Sequence, residues 1–280
     1  MKKKGTKEYW SMTEGVFNCL IDEKRTLAFK KAIYNTVKKG DVVVDVGTGS
    51  GILAMFAADA GAEKVYAVEC DENNLKTLKE NFKINRFENK IILINGDARK
   101  VKLPEKVDVI IGEMIATGLI EEQQIPAMNN MLKYAKKNVK VLLKSYESYI
   151  DLVFNRDLYY GHKLKNVRYE YTGVGEVKSR SLSEKKIYNK VSFLKINKKN
   201  KINKNIIFIT NKNGKINGIR ISSKTIFHDN SVFDYSFAYS YPIILPINDM
   251  NVRKNDKFLV KISYNLCGGF NSLKYLISKI

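Results

Sequence analysis

The sequence predicts an α/β fold with a mostly parallel sheet, preceded by a helical segment and followed by an all-β, barrel-like domain. Between residues 41 and 145, apolar runs alternate with helical patterns, and one of these runs ends in a cluster of glycines. After residue 145 a period-two alternation of apolar and polar residues replaces this pattern. We therefore predict a helical lid segment over 1–37, a ligand-binding α/β domain over 38–145 and a β-rich domain over 146–280.

The segment before residue 38 has apolar residues at roughly helical spacing, with Asp22 and Thr26 as candidate helix caps. These apolar residues are Phe17, Leu20, Ile21, Leu27, Phe29, Ile33 and Val37. Such a segment either covers the mouth of a ligand site as a lid or packs against the core as a purely structural element.

Five strands and three helices are predicted in the α/β region. The strands are Val42–Val46, Lys64–Glu69, Ile91–Asn95, Val107–Ile111 and Val139–Leu143. The helices are Ile52–Ala60, Glu72–Asn85 and Ile120–Lys136. In a parallel sheet of this kind, ligands bind beyond the carboxyl ends of the strands.

The second half of the chain predicts β-strands separated by turns. The predicted strands are Ile206–Thr210, Ile216–Ile221, Tyr235–Tyr241 and Lys257–Asn265. The dipeptides Asn213-Gly214 and Asn217-Gly218 are typical turn signals between such runs.

The glycine cluster follows the apolar run at Val42–Val46 and contains Gly47, Gly49 and Gly51. Glycines allow a tight turn in which a ligand contacts bare backbone, and the N–H groups of the next helix favour anionic oxygens. Ile52 stands where the last glycine of the dinucleotide-binding motif would be. Glu69 ends the next strand about 20 residues later, a distance at which an acid can bind a ribose diol.

Composition describes a globular chain without a membrane-spanning or signal segment. The formal charge of +20 favours acidic partners such as nucleic acid or an acidic protein surface, although the lysines are spread along the chain. The run Lys195–Lys204 is interpreted as a solvated loop. Cys19, Cys70 and Cys267 have no metal-binding spacing, so we expect no metal site and a reducing cytoplasmic location.

Three stretches of the chain resemble the protein arginine methyltransferase family, whose Rossmann-like domain uses S-adenosylmethionine (SAM). They are the glycine motif and helix over 44–58, Val68-Glu69-Cys70, and the helix start over 20–26. The resemblance implies that SAM is the cofactor, that Glu69 holds its ribose and that Arg25 pairs with its carboxylate. Asp97 and Ala98 match the wider methyltransferase pattern, in which the acid binds the amino group of the adenine. The implied cofactor residues are Arg25, Gly47, Gly49, Gly51, Glu69, Asp97 and Ala98.

The stretch from Glu113 to Glu122 is similar to the double-glutamate loop of the same family. A guanidinium is always charged, and its delocalised charge makes its nitrogens poor nucleophiles. Two carboxylates can bind it, turn one nitrogen toward the methyl group and draw positive charge away from that nitrogen. The resemblance therefore implies that Glu113 and Glu122 are the catalytic residues. The alternative is that Glu121 and Glu122 only begin a helix.

The family's Thr-His-Trp loop has no match, and the comparable region over 241–248 contains neither His nor Trp. Tyr9 and Trp10 are candidates for part of the family's N-terminal Tyr-Phe pair. The favoured function is methylation of a protein side-chain nitrogen, with arginine as the first choice of acceptor and a homodimer possible. Two alternatives stay open. One is an RNA or DNA methyltransferase of the same core fold, although the Asn/Asp-Pro-Pro-aromatic motif that is usual in amino-group nucleobase methyltransferases is replaced here by Gly112-Glu113-Met114-Ile115. The other is a non-catalytic subunit that binds a partner.

Overall fold

The computed structural model describes residues 13–170 and 179–280, and its first half contains the predicted parallel sheet. Five parallel strands lie in the order β3-β2-β1-β4-β5. They are β1 (Val42–Val46), β2 (Lys64–Glu69), β3 (Ile91–Asn95), β4 (Val107–Gly112) and β5 (Ala135–Val141). All five residues of β1 are buried because both faces of this central strand are covered, which explains why four of them are valines. The α/β fold with a mostly parallel sheet is confirmed.

Five helices surround or precede this sheet: α1 (Thr13–Ile21), α2 (Glu23–Thr36), α3 (Ile52–Asp59), α4 (Glu72–Ile84) and α5 (Gln124–Met131). Phe29 and Ile33 of α2 are fully buried, as predicted from their spacing. Phe17 and Ile21 of α1 instead leave more than half of their surface exposed, so the first part of the apolar stripe is not core. Asp22 caps α2 as predicted, whereas Thr26 lies inside α2 and is not a cap.

The predicted helix Ile120–Lys136 is wrong at both ends. Residues 117–119 form a 3₁₀ turn, Glu122 has a positive φ of 48°, and α5 begins only at Gln124. At the other end, Ala135 already pairs with Val107 of β4, so the chain is a strand where its Ala and Lys residues favour a helix.

The second half is antiparallel, and its largest sheet has seven strands. Their path is β10-β6-β13-β15-β9, with β11 paired to β6 and β14 paired to β13. These strands are β6 (Leu143–Phe154), β9 (Arg168–Tyr169), β10 (Arg180–Ser181), β11 (Lys186–Ser192), β13 (Gly214–Phe227), β14 (Val232–Phe233) and β15 (Ile243–Val252). The short hairpin β7 (Leu158–Tyr159) and β8 (His162–Lys163) stands apart. An antiparallel, β-rich second half is thereby confirmed, and the exact domain boundaries stay a prediction.

Two β predictions are wrong. The predicted strand Tyr235–Tyr241 is a loop whose turn is closed by an isolated bridge between Ser236 and Tyr239. The predicted turn Asn217-Gly218 lies inside β13, at an irregularity in its pairing with β15. On the opposite side of β13, the Asn217 amide extends the pairing with β6, because it accepts from the Asn155 backbone N–H at 2.9 Å and donates to the Asn155 carbonyl at 2.8 Å.

A buried ion network joins β6 and β13 on the same sheet. Arg220 lies directly opposite Asp151 in the strand register, and its Nε and Nη2 donate to the two Asp151 oxygens at 2.9 and 2.6 Å. Its Nη1 donates to Glu170 at 3.1 Å. Asp151 is fully buried, so Arg220 is the cation that balances its charge.

The last sheet has three strands: β12 (Lys201–Ile209), β16 (Lys257–Asn265) and β17 (Lys274–Lys279), in the order β12-β16-β17. These three strands carry six lysines and no aspartate or glutamate. The loop predicted over 195–204 is shorter in the structure: it ends at residue 200, because β12 begins at Lys201. Across the described ranges, no helix has both the length and the apolar content needed to cross a bilayer.

Candidate active site

The glycine turn leaves the carboxyl end of β1 and leads into α3. Gly47, Gly49 and Gly51 have φ values of 67°, 56° and 82°, a region that glycine enters without steric cost. A Cβ on Gly47 would approach the Met114 side chain to 3.1 Å, and one on Gly51 would lie 2.6 Å from the Phe82 ring. Gly47 thus faces the loop that carries the two glutamates, whereas packing against α4 already requires glycine at Gly51.

A buried carboxyl lies beneath this turn. Asp45 accepts a hydrogen bond from the Thr48 hydroxyl at 2.6 Å and is almost completely buried. Burial raises the pKa of Asp45 to about 6, the Thr48 hydrogen bond opposes this rise, and the nearby Glu69 charge adds to it. Asp45 therefore fixes the shape of the turn from below.

Glu69 ends β2 and connects two neighbouring turns. Its carboxylate accepts from the Gly49 N–H at 3.0 Å, and from the Cys70 and Asp71 N–H groups at 2.8 and 2.9 Å. The residue is 8% exposed. A carboxylate offers about four acceptor positions, so one remains for a ligand hydroxyl. The side chain is thus fixed next to the glycine turn, at the place where the sequence predicted ribose recognition.

Asp97 and Ala98 follow β3 at the same edge of the sheet. The Asp97 carboxylate accepts from the Arg99 backbone N–H and from Arg99 Nε, both at 2.9 Å. These hydrogen bonds hold the pKa of Asp97 below its ordinary value. The Ala98 carbonyl accepts from the Asn130 amide of α5 at 3.0 Å. Asp97 therefore pairs with a cation within its own turn.

Arg25, in the first turn of α2, is 5% exposed and does not point to solvent. Its Nε donates to Glu113 at 3.1 Å, its Nη2 pairs with the same oxygen, and its Nη1 donates to the Cys19 carbonyl at 3.2 Å. The guanidinium also lies over the Phe29 ring, 5.1 Å from its centroid. The structure thus joins two residues that the sequence assigned to different partners, the cofactor carboxylate and the acceptor.

Glu113 and Glu122 lie on the loop between β4 and α5. Gln124 fixes this loop from inside the protein, because its buried side chain accepts from the Met114 N–H at 2.8 Å and donates to the Gly112 carbonyl at 2.9 Å. Glu122 is half-buried, and burial together with the charges of Glu113 and Glu121 raises its pKa to about 7. The two glutamates are therefore close enough to influence each other's charge.

The β-rich half supplies the other wall of this loop. The Thr117 hydroxyl donates to the Tyr241 carbonyl at 2.7 Å, and the Gly118 N–H donates to the Ser223 hydroxyl at 3.2 Å. The hydroxyl of buried Tyr146 lies 2.7 Å from the Ser240 hydroxyl. The ring of Tyr239 packs against the ring of Phe29, with their centroids 5.7 Å apart.

Two segments of the β-rich half therefore border the glutamate loop. They are 236–241 and the turn at 267–269, where the Cys267 and Gly269 N–H groups donate to the Leu119 and Ile120 carbonyls, both at 2.8 Å. The region over 241–248, which the sequence comparison places at the family's Thr-His-Trp loop, is mostly strand β15. The alternation of Tyr, Phe and Ser in 235–241 had predicted a strand, so no signal pointed to a site residue there.

Helix α1 lies over the glycine turn. A Cβ on Gly49 would approach the Val16 side chain to 3.6 Å, an ordinary contact distance. This helix is thus placed where a lid would lie. Tyr9 and Trp10, the candidates for the family's N-terminal pair, lie outside the described residues.

Known proteins are similar to this chain in both sequence and fold. A family model described as ribosomal protein L11 methyltransferase (PrmA) matches residues 26–137. The uncharacterized protein MJ1452 of Methanocaldococcus jannaschii is 37% identical over 262 residues, which cover 92% of this chain and 94% of that protein. Two solved structures, each 17% identical in sequence, match over 94% of this chain and 96% of their own chain. They are the Trypanosoma brucei PRMT1 enzyme–prozyme heterotetrameric complex with AdoHcy (TM-score 0.74) and Arabidopsis thaliana protein arginine methyltransferase 10 (TM-score 0.75).

Two arginine methyltransferases also match, each over less than half of the chain. The histone-arginine methyltransferase CARMER of Anopheles gambiae is 38% identical over 126 residues, which cover 44% of this chain and 20% of that protein. The probable protein arginine N-methyltransferase 6.1 of Oryza sativa subsp. indica is 39% identical over 117 residues, which cover 41% of this chain and 31% of that protein. The chain thus spans less than a third of either relative, and the resemblance predicted from the sequence is confirmed. The chain belongs to the same family as MJ1452, and it has the Rossmann-like methyltransferase fold of the protein arginine methyltransferases that it resembles.

Proposed function

We propose that this protein is a SAM-dependent methyltransferase that modifies arginine side chains of proteins. The observation that supports this most strongly is the pairing of Glu113 with a guanidinium, that of Arg25, in a nearly closed site beside Glu122. The Arg25 guanidinium stands in for the guanidinium of an acceptor arginine. A site that holds one guanidinium in this position has the charge and the hydrogen-bonding geometry to bind another.

The residues at the carboxyl ends of β1, β2 and β3 fit the proposed cofactor. The glycine turn presents backbone without side chains, Glu69 keeps acceptor capacity next to it, and Asp97 follows the neighbouring strand. We expect Glu69 to hold the ribose hydroxyls and Asp97 with Ala98 to border the adenine. SAM supplies an electrophilic methyl group on a sulfonium. Arg25 would turn from Glu113 toward the carboxylate of the cofactor.

The movement of Arg25 would free Glu113 for the catalytic role that we propose for the two glutamates. When Arg25 leaves, Glu113 loses its only described cationic partner and can accept hydrogen bonds from the acceptor guanidinium. Ionised Glu122 would bind the other side of that guanidinium, and the two carboxylates would orient one nitrogen toward the methyl group. Methyl transfer would form an N–C bond while the S–CH₃ bond of the sulfonium breaks, with its electron pair left on the sulfur of a neutral thioether. The methylated nitrogen then loses one proton, and Glu122 is placed to accept it because its pKa lies near neutrality.

We expect acceptor binding to depend on the ionisation of Glu122. Its pKa is about 7 because burial and the neighbouring acids disfavour its charge, so below pH 7 the side chain is mostly neutral and binds a cation poorly. The value of kcat/KM for an arginine peptide should therefore rise with pH up to about 7 and then level off. A pH–rate series measures this rise, and the Glu122→Gln variant should have lower activity without it. The same rise in that variant would contradict the assignment.

The raised pKa of Glu122 also affects stability, with a defined sign. A carboxyl whose pKa is above its ordinary value of 4.5 in the folded state binds a proton more tightly there than in the unfolded state. Its contribution therefore favours folding below pH 4.5 and is lost as the pH rises to about 7.

Replacing Glu69 by Ala is expected to weaken SAM binding by about 1–3 kcal/mol, because a hydrogen-bonded carboxylate is lost and the Gly49 N–H loses its acceptor. Calorimetric titration with SAM measures this change. Glu72→Ala is the matched control, because Glu72 is an exposed acid in the first turn of α4 and its removal should leave the affinity unchanged. Equal affinities for the Glu69 variant and the wild-type protein would exclude this role.

The class of acceptor is tested by labelling. The protein is incubated with methyl-labelled SAM and a cell extract, and the labelled fraction is treated with protease or with nuclease. Label lost only to protease, and recovered in methylarginine after hydrolysis, supports the proposal. Label lost to nuclease would favour the RNA or DNA methyltransferase, for which the six lysines of β12, β16 and β17 are the supporting observation.

Three further expectations accompany this proposal. We expect the 1–37 segment to act as a lid over the cofactor and the 146–280 domain to bind the substrate. A homodimer is possible. The thiols of Cys19, Cys70 and Cys267 are all free, which agrees with a reducing cytoplasmic location.

A further inference from the structure

Asp22 lies between α1 and α2 and is only 4% exposed. Each of its two carboxylate oxygens has a different backbone partner. Oδ1 accepts from the N–H of Arg25 at 3.1 Å and so caps α2. Oδ2 accepts from the N–H of Ala238 at 2.7 Å, on the loop of the β-rich half that borders the glutamates. One buried carboxylate therefore connects the helix that carries Arg25 with the opposite wall of the site.

The other contacts of this joint are of a different kind. Lys24 donates to the Tyr235 carbonyl at 2.7 Å and pairs with Asp234 at 3.3 Å, but both charged side chains are more than half exposed. Exposed ion pairs of this type contribute little to stability. Asp22 makes the buried charged contact of the joint, next to the Cys19 thiol, which donates weakly to the Ala238 carbonyl at 3.9 Å. Asp22 is also the residue of the joint that accepts a hydrogen bond from the backbone of Arg25 itself.

The partners of Asp22 are also linked through the site. The Arg25 guanidinium lies over Phe29, and the ring of Tyr239, next to Ala238 in the chain, packs on Phe29 with its centroid 5.7 Å away. A shift of Ala238 relative to α2 would move this aromatic support as well as the first turn of the helix. The position of Arg25 is therefore set from its backbone and from beneath its side chain.

We propose that Asp22 is a positioning residue for the cofactor, which acts by holding Arg25 against the 236–241 loop. This inference rests on the proposed function, in which Arg25 binds the carboxylate of SAM. Asp22 does not touch the cofactor in this proposal. It fixes the start of α2 to the β-rich half, so that the Arg25 guanidinium needs only a side-chain rotation to move from Glu113 to the cofactor.

The Asp22→Ser variant separates the two contacts of Asp22. Serine is a good helix cap, so its hydroxyl can still accept from the Arg25 N–H, but it has no second oxygen for Ala238. Asp22→Asn is the second variant, since its amide has one acceptor oxygen for two donors. Thermal unfolding identifies the variants that fold. We expect the affinity for SAM, measured by calorimetry, to fall about tenfold in either variant, as for a lost hydrogen bond to a charged group.

A double variant distinguishes positioning from general stability. If Asp22 acts through Arg25, the Asp22→Ser change should have no further effect on SAM affinity in a protein that already carries Arg25→Lys. If its effect is independent of Arg25, the two losses add, and the proposal is overturned. Unchanged affinity in the single Asp22 variants would overturn it too.

Lys24→Met is the matched control, because it removes the exposed contacts of the same joint and leaves Asp22 in place. We expect its SAM affinity to stay within about twofold of the wild-type value. A tenfold loss in this control would assign the effect to the joint as a whole and overturn a specific role for Asp22. Wild-type protein that binds no SAM would instead contradict the proposed function, so the two failures are distinguishable.

Discussion

Replacing Glu113 by Gln is expected to reduce kcat for arginine methylation about 10³-fold, the scale on which loss of one charge-stabilising group lowers kcat. The change removes a negative charge and places an amide NH₂ where the acceptor guanidinium needs an acceptor oxygen. Steady-state kinetics with an arginine peptide measure the loss. Because Glu113 is paired with Arg25 in this structure, its replacement removes a competitor for Arg25, and we expect the Kd for SAM to stay within about threefold of the wild-type value and to fall rather than rise.

Glu121→Gln is the control for this experiment. Glu121 is an acid on the same loop, but its side chain is exposed and no described hydrogen bond links it to Arg25. Its replacement should lower kcat less than about threefold, because it removes no ligand of the guanidinium, and the loss of its charge only favours the ionised form of Glu122. Nearly normal turnover in the Glu113 variant, or an equal loss in both variants, would contradict the catalytic assignment of Glu113.

The largest effect on stability is expected for Arg220→Met. Arg220 gives four hydrogen bonds to Asp151 and Glu170, and the Asp151 side chain is completely buried. Methionine fills a similar volume without charge and removes the cation that hydrogen-bonds to both carboxylates, although the Lys185 charge still acts on them. Breaking a buried pair from one side typically costs about 3–5 kcal/mol, so we expect a loss of this size in the free energy of unfolding. Urea denaturation followed by circular dichroism measures it.

Lys224→Met provides the comparison on the same strand. Lys224 lies four residues further along β13, is exposed, and its ammonium sits 5.5 Å from the centroid of the Tyr149 ring. Loss of an exposed cation–π contact should cost less than about 1 kcal/mol. A loss below 1 kcal/mol in the Arg220 variant would show that Asp151 does not depend on this cation.

The parallel half of the fold could be predicted because its elements follow from local patterns. Four of the five buried residues of β1 are valines, and a glycine turn must follow where the backbone takes positive φ values at Gly47, Gly49 and Gly51. These signals lie within a dozen residues of one another, so no tertiary contact was needed to interpret them.

The wrong predictions lie where a distant partner decides the conformation. Residues 135–138 contain good helix formers, but the edge of β4 offers hydrogen bonds to this segment, and it becomes a strand. Asn217-Gly218 has the composition of a turn, yet the backbone of Asn155, 62 residues earlier, bonds to the Asn217 amide and keeps the segment in β13.

The site shows the same division. Arg25, Glu69 and Glu113 could be selected because each belongs to a short motif or ends a strand, and the structure places all three at one edge of the sheet. Their functional roles stay predictions. The pairing of Arg25 with Glu113 spans 88 residues, and the bond from Ala238 to Asp22 spans 216, so neither could be predicted from local sequence.

The lysines of β12, β16 and β17 have a consequence for how copies of the protein meet in solution. β12 and β17 are edge strands of their sheet, so each presents unpaired backbone groups that could extend into a neighbouring molecule. Lys279 is paired with Asp256, but the other five lysines of these strands lie in a sheet whose strands contain no acid, and their charge repels a second copy that approaches edge to edge, over a range of about 8 Å at physiological ionic strength. The basic composition thus protects this sheet against aggregation, and added salt weakens that protection.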